Sequence, residues 1–139
     1  MALQVTFDCT DPHAQARFWA AALDYDVEDH HDMIGEVIDA GHVPADSDEV
    51  IVVDGRRRWR DYAGAKSRSS EERTLFQRAP GAKTTKNRVH LDIHVPEGER
   101  SAKVDELIAL GATKLWDGQL GPQSWVTLAD PEGNELCIS

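Results

Sequence analysis

The chain has 139 residues, a formal charge of −10 and two cysteines. That length suits one domain whose core needs no disulfide or structural metal, and the acidic balance argues against nucleic-acid partners, which need a net basic face. No charged-then-apolar leader and no apolar run of about 18 residues is present, so no membrane partner is expected, and the widely spaced Cys9 and Cys137 read as reduced thiols of a cytoplasmic protein.

The first unit opens with an alternating strand over 3–9, placing Val5, Phe7 and Cys9 on one face and Gln4, Thr6 and Asp8 on the other. Thr10-Asp11-Pro12 starts a helix, with a capping side chain before Pro at the first helical position. Ala14, Phe18, Ala21 and Ala22 give it an apolar stripe, with Leu23 near its end. A short strand over 25–28 follows, then a helix over 32–40 stopped by Gly41. Val50 to Val53 is β-branched and reads as a strand, closed by Asp54-Gly55. The polar stretch from Arg56 to Arg73 is expected to form a helical turn and then loop. Its Arg56–Arg60 run reads as a solvated surface, or as an anion-binding or subunit-contact patch anchored by Trp59. Thr74 to Gln77 is the next strand.

Pro80 and Gly81 punctuate a linker over about 80–87, dividing a first module (about 1–79) from a second (about 88–139). The second module reads as strand 89–95, a helix over about 101–110 buried through Val104, Leu107, Ile108 and Leu110, and a Gly111 cap. Short strands follow at 114–116, 125–128 and 134–138, the last two joined by the turn Asp130-Pro131-Glu132-Gly133-Asn134. Gln4 to Cys9 therefore returns as His90 to Val95, and both halves run strand, helix, then about three strands. In the second copy the polar face carries His90, Asp92 and His94. Two such polar faces turned toward each other would enclose a pocket.

This repeat resembles the vicinal-oxygen-chelate superfamily of glyoxalase I, bleomycin-resistance proteins and extradiol dioxygenases, in its glyoxalase-like domain branch. Three motifs carry the likeness: Asp11-Pro12 with Phe18-Trp19 and Leu23, Lys86-Asn87-Arg88-Val89-His90-Leu91-Asp92, and Asp130-Pro131-Glu132-Gly133-Asn134-Glu135-Leu136-Cys137. The resemblance implies an α+β fold of two paired βαβββ modules whose mixed sheets curl around a central cavity, often in a homodimer. It fixes no reaction, because sites rather than folds carry chemistry.

The resemblance also implies metal ligands on the first and last strands of each module. The matching positions are His90 and Glu135, with Gln4 at the equivalent place in the first module and Gln77 as the available fourth donor. Nitrogen and oxygen donors of this kind suit Zn²⁺, Ni²⁺, Mn²⁺ or Fe²⁺, although neutral Gln4 and the missing fourth carboxylate both weaken such a site, and the site can equally be metal-free. Without a metal, His90 would hydrogen-bond Asp92, and Glu135 would pair with Arg88 or fix its turn. Asp8, Asp92 and His94 are further pocket-lining candidates, where neighbouring carboxylates would raise one another's pKa. Phe76 and Trp125 would form an aromatic wall, Trp19 and Trp116 would be core, and His13, His30, His31 and His42 would lie at the surface.

Two functions follow. In one, a metal-dependent lyase or isomerase chelates vicinal oxygens of a small substrate, with Glu135 or a nearby carboxylate as general base. In the other, the same cavity, metal-free, sequesters an aromatic or cationic antibiotic or metabolite, favoured by the acidic charge.

Overall fold

A computed structural model describes residues 2–139. The first module begins with β1 (Gln4–Cys9) and α1 (Pro12–Leu23). Asp11 caps α1, accepting hydrogen bonds from the N–H groups of His13 (3.1 Å) and Ala14 (3.0 Å), with Pro12 inside the first turn. There follow β2 (Asp26–Val27), α2 (His31–Asp39), β3 (Val50–Val53), β4 (Arg56–Trp59), β5 (Tyr62–Lys66) and β6 (Arg73–Arg78). The second module contains β7 (Leu91–Ile93), α3 (Arg100–Ala109), β8 (Thr113–Leu120), β9 (Gln123–Ala129) and β10 (Glu135–Ile138).

The duplication is explicit in the sheets. One has the order β1-β6-β5-β2 and the other β7-β10-β9-β8. In each, the module's first strand runs parallel to its last, and the remaining neighbours are antiparallel. With α2 and the β3–β4 hairpin set aside as an insertion, both modules are βαβββ units.

One core serves both. It joins Phe18 and Trp19 of α1, Phe76 of β6, Val104 and Leu107 of α3, and Leu128, Leu136 and Ile138 of the second sheet. Phe7 lies against Trp19 and Phe76 with ring centroids 4.8 and 5.5 Å apart, close enough for aromatic attraction to add to burial. A polar staple crosses the same boundary. Trp19 Nε1 donates to the buried Asp130 Oδ2 at 2.9 Å, and the Glu132 carboxylate accepts from the Thr10 N–H, the Thr10 hydroxyl and the Asp11 N–H. The Asp130–Asn134 turn thus ties the second module to the start of α1. Among the described residues no helix is long and apolar enough to cross a membrane.

The segment from Arg56 to Arg73 departs from the expected helical turn and loop. Asp54 and Gly55 both take positive φ (51° and 73°), the backbone that folds a two-residue hairpin, so Arg56–Trp59 returns along Val50–Val53 as β4. Ala63-Gly64-Ala65 lacks β-branched residues, yet it forms the buried middle of β5 because small side chains let α1 approach the sheet. Phe76 also departs from expectation. It is 0 % exposed and packs in the core, on the sheet face opposite Leu75 and Gln77, so it walls no pocket. Trp19 is core as expected.

Trp116 is not core: it is 49 % exposed. A β-bulge between Lys114 and Trp116 inserts Leu115, so that Trp116 rather than Leu115 stands opposite Thr127. One extra residue reverses which face a side chain takes, and Trp116 is turned to the polar side.

Three of the four histidines expected at the surface are partly covered. His13 Nε2 lies 2.8 Å from the Trp59 carbonyl, His30 Nε2 lies 3.2 Å from Glu28 Oε2, and His31 Nδ1 accepts the Arg57 N–H at 2.9 Å. His42 is exposed.

Candidate functional site

The polar face of the second sheet carries a cleft of about 580 Å³, within the size range of small-molecule sites. The strand register builds its floor. Cys137 stands beside Asp92 on one side and Thr127 on the other, and Thr127 stands beside Trp116, so one row crosses all four strands. One step back along the parallel pair are His90 and Glu135. One step forward are His94 and Ser139, whose Nδ1 and Oγ lie 2.6 Å apart. Trp125 shares this face and lies across Gly118, its cross-strand neighbour. A Cβ at Gly118 would run into the indole, so the glycine lets Trp125 lie flat on the sheet. Trp116 and Trp125 therefore form the apolar walls of a cleft with a hydrogen-bonding floor.

His90 Nδ1 lies 2.9 Å from Asp92 Oδ1. Cys137 Sγ lies 3.5 Å from Thr127 Oγ1, and its pKa is raised by burial and by the Asp92 carboxylate, against the opposing Thr127 contact. Glu135 is buried, and both its oxygens are engaged. Oε1 meets Lys83 Nζ at 3.1 Å, and Oε2 accepts the Asn87 N–H at 3.0 Å. Burial pushes the Glu135 pKa up. The Asn87 and Lys83 hydrogen bonds outweigh that effect and hold it below the ordinary glutamate value. Lys83 and Asn87 belong to the segment joining the modules, which folds back over β10, and Lys83 rather than Arg88 is the partner of Glu135.

The remaining candidates lie apart. A smaller cleft of about 290 Å³ between β1 and β7 brings Asp8 of the first module together with His90 and Glu135. Gln4 and Gln77 line neither cleft. Gln4 Oε1 accepts from Arg73 Nη1 at 2.8 Å. Arg73 also grips Glu28 through two bonds of 2.7 and 2.6 Å, so the polar face of the first sheet carries an ion-pair network. Gln4 pairs in register with Arg73, and Gln77 with Asp8. Four residues of strand therefore separate the two glutamines, about 13 Å at strand rise.

The divalent metal implied by the resemblance requires donors that converge and face no cation. The set Gln4, Gln77, His90 and Glu135 does not fit it as arranged. Gln4 faces a guanidinium, Glu135 an ammonium, and Gln77 lies at the other end of the ladder from Gln4. Among the described residues, the side chains whose metal-ligating atoms converge are His90, Asp92 and Cys137, all within 4.8 Å of one another. The sequence placed His90 and Asp92 in the pocket but overlooked Cys137. Its signal was there: Glu135-Leu136-Cys137 alternates, so Cys137 shares the face of Glu135.

Paired βαβββ sheets with an open polar cleft define a protein of the glyoxalase and bleomycin-resistance fold. The sequence matches the glyoxalase-like domain family over residues 4–139, and the chain belongs to that family. Among solved structures, a glyoxalase/bleomycin resistance protein/dioxygenase family enzyme from Burkholderia phytofirmans is similar at 16% identity, with a TM-score of 0.61 over 97% of this chain and 94% of that one. The fosfomycin resistance protein FosX of Listeria monocytogenes, complexed with Mn(II) and 1S,2S-dihydroxypropylphosphonic acid, is similar at 8% identity, with a TM-score of 0.61 over 97% and 85%. The bleomycin-binding protein of Streptomyces verticillus, complexed with copper(II)-bleomycin, is similar at 15% identity, with a TM-score of 0.50 over 100% and 94%. Identities this low carry the fold and no activity. No curated protein matches the chain in sequence.

Proposed function

We propose that the chain binds a flat small molecule bearing polar substituents in the cleft of the second module. One observation carries this reading: Trp116 and Trp125 wall a floor of hydrogen-bonding side chains, while Glu135 is already committed to Lys83. Aromatic walls supply stacking and apolar burial, and the floor supplies orientation. The net charge of −10 favours approach of a cationic ligand. The bleomycin-binding relative is an example of this fold serving as a binder. Tryptophan fluorescence titrated with a panel of flat aromatic cations and zwitterions, bleomycin among them, tests the reading. Saturable one-to-one quenching that Trp125→Ala weakens supports it. Quenching unchanged in Trp125→Ala removes the cleft from consideration.

A second reading, lyase or isomerase chemistry, has its own observation. The contact between His90 Nδ1 and Asp92 Oδ1 is the arrangement in which a carboxylate orients an imidazole for proton transfer through Nε2. Glu135, held below its ordinary pKa, is a poor general base. Turnover of a screened substrate that vanishes in His90→Ala and survives in Glu135→Gln would favour this reading, and the reverse pattern would sink it. The homodimer belongs to the same proposal. Leu115, Trp116 and Leu120 stay exposed along β8 in the single chain, and sedimentation velocity reads the assembly directly.

A further inference from the structure

We infer that the floor of the cleft is a metal site in its own right, built from His90, Asp92 and Cys137 and selective for a thiophilic divalent ion such as Zn²⁺ or Co²⁺. The fold produces it simply. His90 and Asp92 lie two residues apart on one face of the chain through β7, and Cys137 is the register partner of Asp92 on β10. One imidazole nitrogen, one carboxylate oxygen and one sulfur consequently lie within 4.8 Å of one another. Bonds of about 2.0–2.3 Å to such donors place tetrahedral ligands roughly 3.3–3.8 Å apart. Modest side-chain rotation therefore closes the set around an ion.

The charges suit the assignment. Asp92 and a Cys137 thiolate offset a dication, and coordination releases the thiol proton to solvent. Two ammonium groups bear on the site: Lys86, whose charge acts on Cys137, and Lys83, which is held by Glu135 at 3.1 Å. Lys86 lines the cleft with its Nζ donating to the Asn87 carbonyl at 3.3 Å. Thr127 Oγ1, 3.5 Å from Cys137 Sγ, is placed to support the bound sulfur. A thiolate among the ligands selects zinc-like ions over Mn²⁺ or Mg²⁺. Three protein ligands leave a fourth position, open toward the cleft between Trp116 and Trp125, where water or a donor atom of a ligand completes the shell. Without an ion, the His90–Asp92 hydrogen bond and the Thr127–Cys137 contact satisfy the same groups. The site and that plain network differ only in whether metal binds.

The inference goes beyond the binding of an organic molecule and survives or fails separately from it. Its test is titration of chelator-treated full-length protein with Co²⁺, followed by absorption, with no organic ligand present. One equivalent should raise a thiolate-to-cobalt charge-transfer band in the near ultraviolet, together with tetrahedral d–d bands. Cys137→Ser should abolish the charge-transfer band. Asp92→Asn, at an exposed position, should weaken Co²⁺ by at least about tenfold. Glu135→Gln and Cys9→Ser should leave the band in place. Circular dichroism establishes that each variant is folded, and Asp92→Asn carries the test if Cys137→Ser is not. Absence of the band in folded wild-type protein overturns the inference. So does a band that persists in Cys137→Ser, or binding that is lost in Glu135→Gln and kept in Asp92→Asn.

Discussion

Lys83 Nζ lies 3.1 Å from Glu135 Oε1, so an ammonium occupies the carboxylate that the resemblance offers as a metal ligand. A buried carboxylate facing water would attract a dication. Here an ammonium already sits on one oxygen and the Asn87 N–H on the other, both supplied by the segment that joins the modules.

Lys83→Met should therefore have two effects. Glu135 loses a charge-assisted hydrogen bond while staying largely buried, which should cost about 1–3 kcal/mol in urea unfolding. The uncovered carboxylate, next to His90, should also gain affinity for Mn²⁺, read by isothermal titration calorimetry. Unchanged stability and unchanged Mn²⁺ binding would show that the pair does not govern this position.

Gly118→Ala should damage the cleft through Trp125. The new methyl would occupy the space of the indole, and overpacking of this kind costs about 1–3 kcal/mol unless the ring moves. Trp125 borders the cleft, so the ring is the part free to swing. The expected result is weakened quenching by aromatic ligands and a shifted Trp emission maximum, with a smaller change in melting temperature. A large fall in melting temperature with ligand quenching intact would place the strain elsewhere.

Much of this was legible in the sequence because it depends on local periodicity. The alternation of Gln4–Cys9 and His90–Val95, the Asp11-Pro12 helix start and the Asp130–Asn134 turn each declare themselves within a few residues. Features set by long-range pairing were not legible. Trp116 reads as core until the Leu115 bulge is known. The Arg56–Trp59 run reads as the start of a helical turn until its register against Val50–Val53 is known. The side of the sheet on which Phe76 falls depends on where β6 meets β1 and β5. The site shows the same division: strand alternation brings His90 and Asp92 to one face, whereas Lys83 reaches Glu135 only through the path of the linker.

Acid should weaken the ion-pair network on the polar face of the first sheet. The Glu28 pKa is lowered chiefly by the Arg73 hydrogen bonds, against its burial, with the Arg73 and His30 charges assisting. A carboxylate with a depressed folded pKa stabilises fully above its unfolded value, 4.5 here, and that contribution disappears as pH falls through the lower folded value. Glu28→Gln should lower the melting temperature by a few degrees at pH 7 and flatten its fall between pH 5 and 3. Parallel melting curves for both proteins across that range would count against this linkage.

The staple between modules makes the sharpest stability prediction. Asp130 is buried, and its carboxylate accepts from Trp19 Nε1 and Asn134 Nδ2 through Oδ2, and from the N–H groups of Glu132 and Asn134 through Oδ1. Asp130→Ala leaves the Trp19 indole N–H buried without its acceptor and opens the turn, so a loss of about 3 kcal/mol is expected. Trp19→Phe removes the donor but also reshapes the core around Phe7 and Phe18, so its single effect is not diagnostic. The double-mutant cycle is: the two changes should couple by about 1 kcal/mol or more in urea unfolding. Because one core spans both modules, each variant should still unfold in a single transition. Additive effects would mean that the indole and the carboxylate are not partners, and two separated transitions in Asp130→Ala would mean that the modules share no cooperative core.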